Sequence, residues 1–235
     1  MATDGLSERP WVLLPGTLCT GAVFDGLLNS LGVDERLRTV VQLDRPSVHD
    51  YDAVFNTLNQ DTIVCGFSLG AIVAAHGADR MNVHSLILFG LNPHEDDPSK
   101  TAGRHSLARD VQTVGGAAAL RSRVTGVLGL NPQTTRDTIY RMAEETAHLI
   151  EPQTQLALTR PGALPALAKA KLPVRCITGS EDQAAPSHQG RTAAQIALNG
   201  RFCSLDGLGH FALLENPATC AAAVRQMTEL APEIT

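Results

Sequence analysis

The sequence predicts an α/β fold: a mainly parallel sheet of about six strands, helices on both faces, and a helical insertion. Three observations carry this. Short, nearly uninterrupted apolar runs alternate with longer amphipathic stretches through most of the chain. The runs lack the polar alternation of a one-sided sheet, as expected of parallel strands buried on both faces. The alternation lapses once, over 91–172, where only helical patterns remain. At 235 residues the chain can bury a sizeable core without disulfides or metal ions.

Taken in order, "WVLLPG" (11–16) is the first strand candidate, and a helix begins near Val23. "TVVQLD" (39–44) is the second, followed by a helix near Tyr51. "TIVCGF" (62–67) is the third and leads directly into a helix at Leu69; "SLILFG" (85–90) is the fourth. Each is short and rich in β-branched or large apolar residues, and most end in Gly or Asp, which marks strand ends. The insertion opens polar, "NPHEDDPSK" (92–100). It continues as two helical patterns, "HSLARDVQTVGGAAALRSRV" (105–124) and "TTRDTIYRMAEETAHLI" (134–150), and closes with Pro161, Pro165 and Pro173. In the second pattern Ile139, Met142, Ala143, Thr146 and Leu149 share a face. "VRCITGS" (174–180) and "RFCSLDG" (201–207) are the last strands, with a helix near Ser187 between them. The final helix opens at Asn216-Pro217, where proline suits the first turn, and carries Cys220, Val224, Met227 and Leu230 as an apolar stripe. Residues 1–90 and 173–235 therefore form the core, and 91–172 a helical cap. An insertion at a strand's C-terminal end stands over the crevice where open α/β sheets bind ligands.

The net charge of −5, without a long block of like charge, argues against nucleic acid and anionic membrane as partners. Cys19, Cys65, Cys176, Cys203 and Cys220 are odd in number, widely spaced and free of CxxC, so they read as reduced thiols rather than a disulfide framework. The start, "MATDGLSERP", lacks the basic and apolar regions of a signal peptide, and no run reaches bilayer-spanning length. A cytoplasmic location is expected.

The chemistry concentrates in Gly66-Phe67-Ser68-Leu69-Gly70, where the third strand becomes a helix. A turn this sharp leaves no room for side chains two residues either side of the serine, and glycine supplies that room. The serine is then held in a strained conformation with its Oγ exposed at the sheet's edge. The following helix N-terminus offers the backbone N–H of Leu69 to a developing negative charge. An incidental serine in a glycine turn is the alternative; the strand before and the Ala-rich helix after disfavour it. A serine hydroxyl needs a base, and the base an orienting carboxylate. Of eight histidines, His210 lies in "LDGLGHFALLENP", after the last strand, where flanking glycines let a loop carry an imidazole over a strand end. His76 lies on the helix after Ser68 and points away; His188 sits at a helix start; His49, His84, His94, His105 and His148 read as surface residues. For the acid, Asp182 in "CITGSEDQAAP" follows the fifth strand. Glu181 is adjacent but points elsewhere, and Glu95, Asp96 and Asp97 read as the solvated start of the insertion.

The order Ser68, Asp182, His210 and the motifs "GFSLG", "GSEDQAAP" and "GLGHFALLENP" resemble those of the α/β-hydrolase fold superfamily, in the branch of small capped carboxylesterases of the biotin-pathway type. The resemblance runs from about Trp11 to the C-terminal helix. It implies Ser68, Asp182 and His210 as catalytic residues. It also implies an oxyanion hole of backbone N–H groups from Leu69 and Thr17, with Leu18 the second choice to Thr17. Pro15-Gly16-Thr17-Leu18 stands where that family usually has His-Gly-x-x, and the missing histidine removes a side chain that often braces the hole. Only about ten residues precede "WVLLPG", so the family's first two strands are expected to be reduced or absent. The implied activity is hydrolysis of a small carboxylic ester or thioester through an acyl-enzyme, on a small-molecule acyl substrate, with no metal or organic cofactor. Lactone opening, C–C bond hydrolysis of a β-diketone and perhydrolysis are alternatives on the same scaffold; a non-catalytic ligand-binding protein is a fourth.

The cap's apolar faces (Val111, Val114, Leu120; Ile139, Met142, Leu149) either line an acyl pocket or pack against the sheet domain. Arg104, Arg109, Arg121, Arg123, Arg136 and Arg141 offer a basic patch, but Asp110, Asp137, Glu144 and Glu145 are interleaved, which favours a solvated mixed face.

Overall fold

A computed structural model describes residues 5–229. Its elements, in chain order, are β1 (Trp11–Leu14), α1 (Asp25–Leu31), β2 (Arg38–Val40), α2 (Asp52–Phe55), β3 (Ile63–Phe67), α3 (Leu69–His76) and β4 (Ser85–Phe89). Then come α4 (Thr101–Val114), α5 (Gly116–Leu120), α6 (Pro132–Glu145), α7 (Ile150–Thr159) and α8 (Leu164–Lys169). The chain ends with β5 (Val174–Gly179), α9 (Ser187–Ile196), β6 (Gly200–Leu205), α10 (Ala212–Glu215) and α11 (Pro217–Glu229). The six strands form one sheet in the order β2-β1-β3-β4-β5-β6, every pair parallel. A strand is present near each expected run, but the second is shifted and short: β2 is Arg38–Val40 rather than 39–44, and as an edge strand it leaves Thr39 and Val40 exposed. The start of the chain (1–4) and Leu230, the last member of the expected C-terminal stripe, lie outside the described residues.

Strand alternation divides the core. Trp11, Leu13, Ile63, Cys65, Phe67, Ile87, Phe89 and Ile177 point to one face, where α1, α10 and α11 cover them. Val12, Leu14, Val64, Leu86, Leu88, Val174 and Cys176 point to the other, under α2, α3, α7, α8 and α9. Side chains buried on both faces are why these runs are continuously apolar in the sequence. The chain leaves β1 for β2 on one side and returns to β3 on the other. That reversal opens a crevice beyond the C-terminal ends of β1 and β3, which is where open α/β sheets place ligands.

The segment between β4 and β5 contains two helices that the sequence patterns did not reveal, α7 and α8. Pro152 and Pro165 argue against helix when met in sequence, yet both sit in a first turn, where proline removes no intrahelical hydrogen bond. The segment also divides its packing. Ala108, Val111, Ala119, Ala143 and Ile150 form a small core of their own with Leu18 from the loop after β1. Leu156, Ala157, Ala163 and Leu167 instead join the sheet's own core. Met142 packs on the opposite sheet face, while Val114 is 57 % exposed.

His76 ties α3 to this segment. It is buried, and its Nε2–H donates to the Pro161 carbonyl at 2.7 Å. Burial lowers its pKa below the ordinary imidazole value; the Pro161 carbonyl opposes this, and His49, Arg160 and Arg80 reinforce it. The unfolded chain therefore binds this proton more readily than the folded one, so stability falls as pH drops below the unfolded value. The slope from one such group is at most about 1.4 kcal/mol per pH unit. Thermal melts across acid to neutral pH should show this sensitivity reduced in His76→Gln, which can still donate to Pro161. Equal acid sensitivity in both proteins would rule His76 out as its source.

Candidate active site

Three strand ends bring the candidate residues together. Ser68 follows β3 with φ 52° and ψ −117°, a conformation side chains rarely adopt. Its N–H donates to Phe89 O at 2.9 Å, fixing the turn against β4. The two glycines are required for different reasons. A Cβ on Gly66 would stand 2.6 Å from Ala71 Cα and 2.7 Å from Gly70 O, within the turn itself. A Cβ on Gly70 would stand 1.9 Å from Leu14 O, on the neighbouring strand. The second glycine therefore serves the approach of α3 to the end of β1, rather than the turn alone.

His210 stands over this turn on the loop between β6 and α10. Its Nε2 lies 3.0 Å from Ser68 Oγ, and its Nδ1 lies 2.8 Å from Asp182 Oδ2. The carboxylate accepts at Nδ1, so the proton resides there and Nε2 accepts from the serine hydroxyl. Asp182 follows β5 and its side chain is 1 % exposed. Its other oxygen accepts the N–H groups of Ala184 at 2.9 Å and Ala185 at 2.8 Å. Both oxygens are thus engaged, which fixes the carboxylate and hence the imidazole plane. Phe67 and Phe211 flank the ring, with centroids 5.1 and 5.6 Å away. Gly209 N–H donates to Glu215 Oε2 at 2.8 Å and braces the histidine loop from the far side. Glu215 is buried, and burial pushes its carboxyl upward against the pull of the Gly209 and Phe211 N–H groups. Sequence patterns gave no hint of this brace.

The backbone donors separate as well. Leu69 N–H opens α3, and Thr17 N–H lies in the loop after β1; neither has an acceptor among the described residues. Leu18 N–H is occupied: it donates to Gln153 Oε1 at 3.0 Å, and Leu18 has φ 56°. Gln153, on α7, is 1 % exposed. By accepting from Leu18 it ties α7 to the loop after β1. A Cβ on Gly16 would meet Ser68 Cβ at 3.0 Å, so this loop passes directly over the serine.

Two cavities open on Ser68 and His210. One, of about 290 Å³, is mainly apolar and lined by Leu107, Leu120, Val124, Val127, Leu128 and Phe211. Of Val111, Val114, Leu120, Ile139, Met142 and Leu149, only Leu120 lines it. The other, of about 400 Å³, is lined by Lys100, Arg104, Arg123 and Arg160 among smaller residues. The arginines of segment 91–172 thus divide. Arg104 and Arg123 face this cavity, Arg121 lies over the Tyr140 ring, and Arg141 pairs with Glu145 on the surface. Asp96 is not a solvated residue as its sequence context suggested: its side chain is 6 % exposed and pairs with Arg104 and Arg160. The five cysteines are free thiols, four of them buried. Among the described residues no helix is long and apolar enough to cross a membrane.

A family model described as "Alpha/beta hydrolase family" matches residues 11–223. A pimeloyl-[acyl-carrier protein] methyl ester esterase of Aromatoleum aromaticum is 27 % identical over 201 residues, which span 75 % of this chain and 77 % of that protein. Solved structures share the fold at lower identity. A malate-bound thermophilic esterase from Thermogutta terrifontis superposes with TM-score 0.73 at 19 % identity, over 93 % of this chain and 88 % of that one. A carboxylesterase of Nitrososphaera gargenis gives 0.77 at 14 % identity, over 95 % and 90 %. An enol-lactonase from Burkholderia xenovorans gives 0.69 at 18 % identity, over 93 % and 91 %.

Proposed function

The chain belongs to the alpha/beta hydrolase family, and on that premise we propose that it cleaves a carboxylic ester or thioester through an acyl-enzyme on Ser68. The observation that carries this reading is the chain of contacts Ser68 Oγ–His210 Nε2 at 3.0 Å and His210 Nδ1–Asp182 Oδ2 at 2.8 Å. Ser68 Oγ attacks the substrate carbonyl carbon as its proton passes to His210 Nε2. The carbonyl oxygen gathers negative charge between the N–H groups of Leu69 and Thr17. Asp182 holds the tautomer and stabilises the imidazolium. The C–O or C–S bond then breaks as His210 returns the proton to the leaving group. Water, deprotonated by His210, attacks the acyl carbon and releases the acid. The apolar cavity suits an acyl chain, and the segment 91–172 acts as a cap that shapes both cavities. The relative that acts on a methyl ester supports ester chemistry. Free, mostly buried thiols fit a reducing compartment such as the cytoplasm.

The direct test is labelling with a fluorophosphonate probe, which phosphonylates activated serines. One adduct is expected, on the peptide containing Ser68, and none in Ser68→Ala. A folded wild-type protein that takes no label would overturn the proposal.

Gln153 enters as a positioning residue. In Gln153→Leu the Leu18 N–H loses its buried acceptor and the loop carrying the Thr17 N–H loses its anchor. The expected result is a kcat lower by about ten- to a hundredfold, below the cost of deleting an oxyanion donor outright, with KM moving less. Gln153→Glu, which keeps an acceptor at that place, should recover part of the loss. An unchanged kcat in Gln153→Leu would disconnect this residue from the chemistry.

A further inference from the structure

The second cavity has a charge pattern that ester hydrolysis alone does not require. Its lining carries four cations, Lys100, Arg104, Arg123 and Arg160, and no carboxylate. The neighbouring acids that pair with them number two. Asp96 accepts from Arg104 Nε at 2.7 Å and Arg160 Nη1 at 3.0 Å, and Asp110 accepts from Arg123. With Asp97, whose carboxyl is held down by Ser99 and also by Lys100, three acids stand near four cations, so a net positive charge remains beside Ser68 in a chain whose net charge is −5. Lys100 is exposed, and the carboxylate its charge acts on, Asp97, is not among the residues that line the cavity. Arg160 lies at the back of the cavity with its side chain 1 % exposed, its Nη1 held by Asp96 and the Ala157 carbonyl.

We infer that this arm is a subsite for a carboxylate carried by the substrate, so that the ester cleaved at Ser68 also bears a free acid group. The inference rests on the hydrolase reading of Ser68. A guanidinium presents paired donors that match a planar carboxylate, and Arg104 already displays that geometry on Asp96. Partial enclosure strengthens the attraction over its value in water. The apolar arm and the cationic arm meet at Ser68 and His210, so one substrate extends into both, with its scissile carbonyl at the junction.

The test compares esters matched in shape and different in charge. On the acyl side these are the p-nitrophenyl monoester of adipate and p-nitrophenyl hexanoate; on the alcohol side, 4-carboxyphenyl acetate and phenyl acetate. The readout is the ratio of kcat/KM for the charged ester to that for its neutral partner. In wild-type enzyme this ratio should exceed that of the Lys100→Gln/Arg123→Gln double variant by about tenfold or more for at least one pair, as expected for losing charge-assisted hydrogen bonds. These two residues are more exposed than Arg160, so the double variant should fold; a matching thermal melt checks this. Raising the salt concentration should erode the preference in wild type and leave the variant's ratio flat. Ratios that are the same in both proteins for both pairs would overturn the subsite. Inorganic phosphate competing more tightly than free adipate would overturn its assignment to a carboxylate. If wild-type enzyme turns over none of the four esters and takes no fluorophosphonate, the hydrolase reading itself has failed, which is a separate result.

Discussion

Ser68→Ala is expected to lower kcat for p-nitrophenyl acetate by about 10⁴-fold or more, with the fold intact. Removal of the nucleophile from a triad of this kind costs about 10⁶ in kcat in a well-studied serine protease, and residual turnover comes from the remaining binding groups. The fold should survive because Ser68 is only partly buried and its backbone N–H bond to Phe89 O does not depend on the side chain. Asp182→Asn should approach the same loss, about 10⁴-fold, because an amide at that position no longer enforces the Nδ1–H tautomer of His210. The double variant should be scarcely worse than Ser68→Ala, since the two residues act as one unit. Wild-type turnover by Ser68→Ala would sink the assignment of Ser68.

What could be read from the sequence follows from how local each signal is. The strand runs, the glycine-flanked serine and the strand-end positions of Asp182 and His210 are each set by a few consecutive residues. Their side chains meet because parallel strands end at one edge, a consequence of fold class alone. Gln153 was illegible. Its role depends on α7 docking against the loop after β1, 135 residues away in sequence. The same applies to the cationic cavity. Arg104 and Arg123 belong to a set of six arginines whose interleaved acids hide which of them face inward. Arg160 carries no local signal, because it joins the others through Asp96, 64 residues earlier. Asp96 looked solvated because its neighbours Glu95 and Asp97 are exposed; burial of one acid in a polar run leaves no trace in composition. Helices α7 and α8 were missed because a proline in a first turn and a proline that breaks a helix look alike until the register is known.

The elbow's second glycine gives the largest expected effect on stability. Gly70→Ala would place a methyl 1.9 Å from Leu14 O, 2.4 Å from Leu14 C and 2.6 Å from Pro15 O. All three atoms are backbone, at the C-terminal end of a buried central strand, so no side chain can rotate away. Relief requires moving α3 off β1, which would also part the Leu69 and Thr17 N–H groups. A loss of more than about 4 kcal/mol is expected, comparable to the whole stability of a marginal domain. It should appear as failure to accumulate as soluble protein, or as a collapse of the melting temperature. The same substitution at Gly103, within α4, meets nothing within 4 Å and should stabilise by about 0.5–1 kcal/mol through helix propensity and chain entropy. Opposite signs for one chemical change isolate the steric cause. A Gly70→Ala protein that melts like wild type would show that α3 can separate from β1 without cost. The close approach of helix and strand would then not be what holds the serine turn in place.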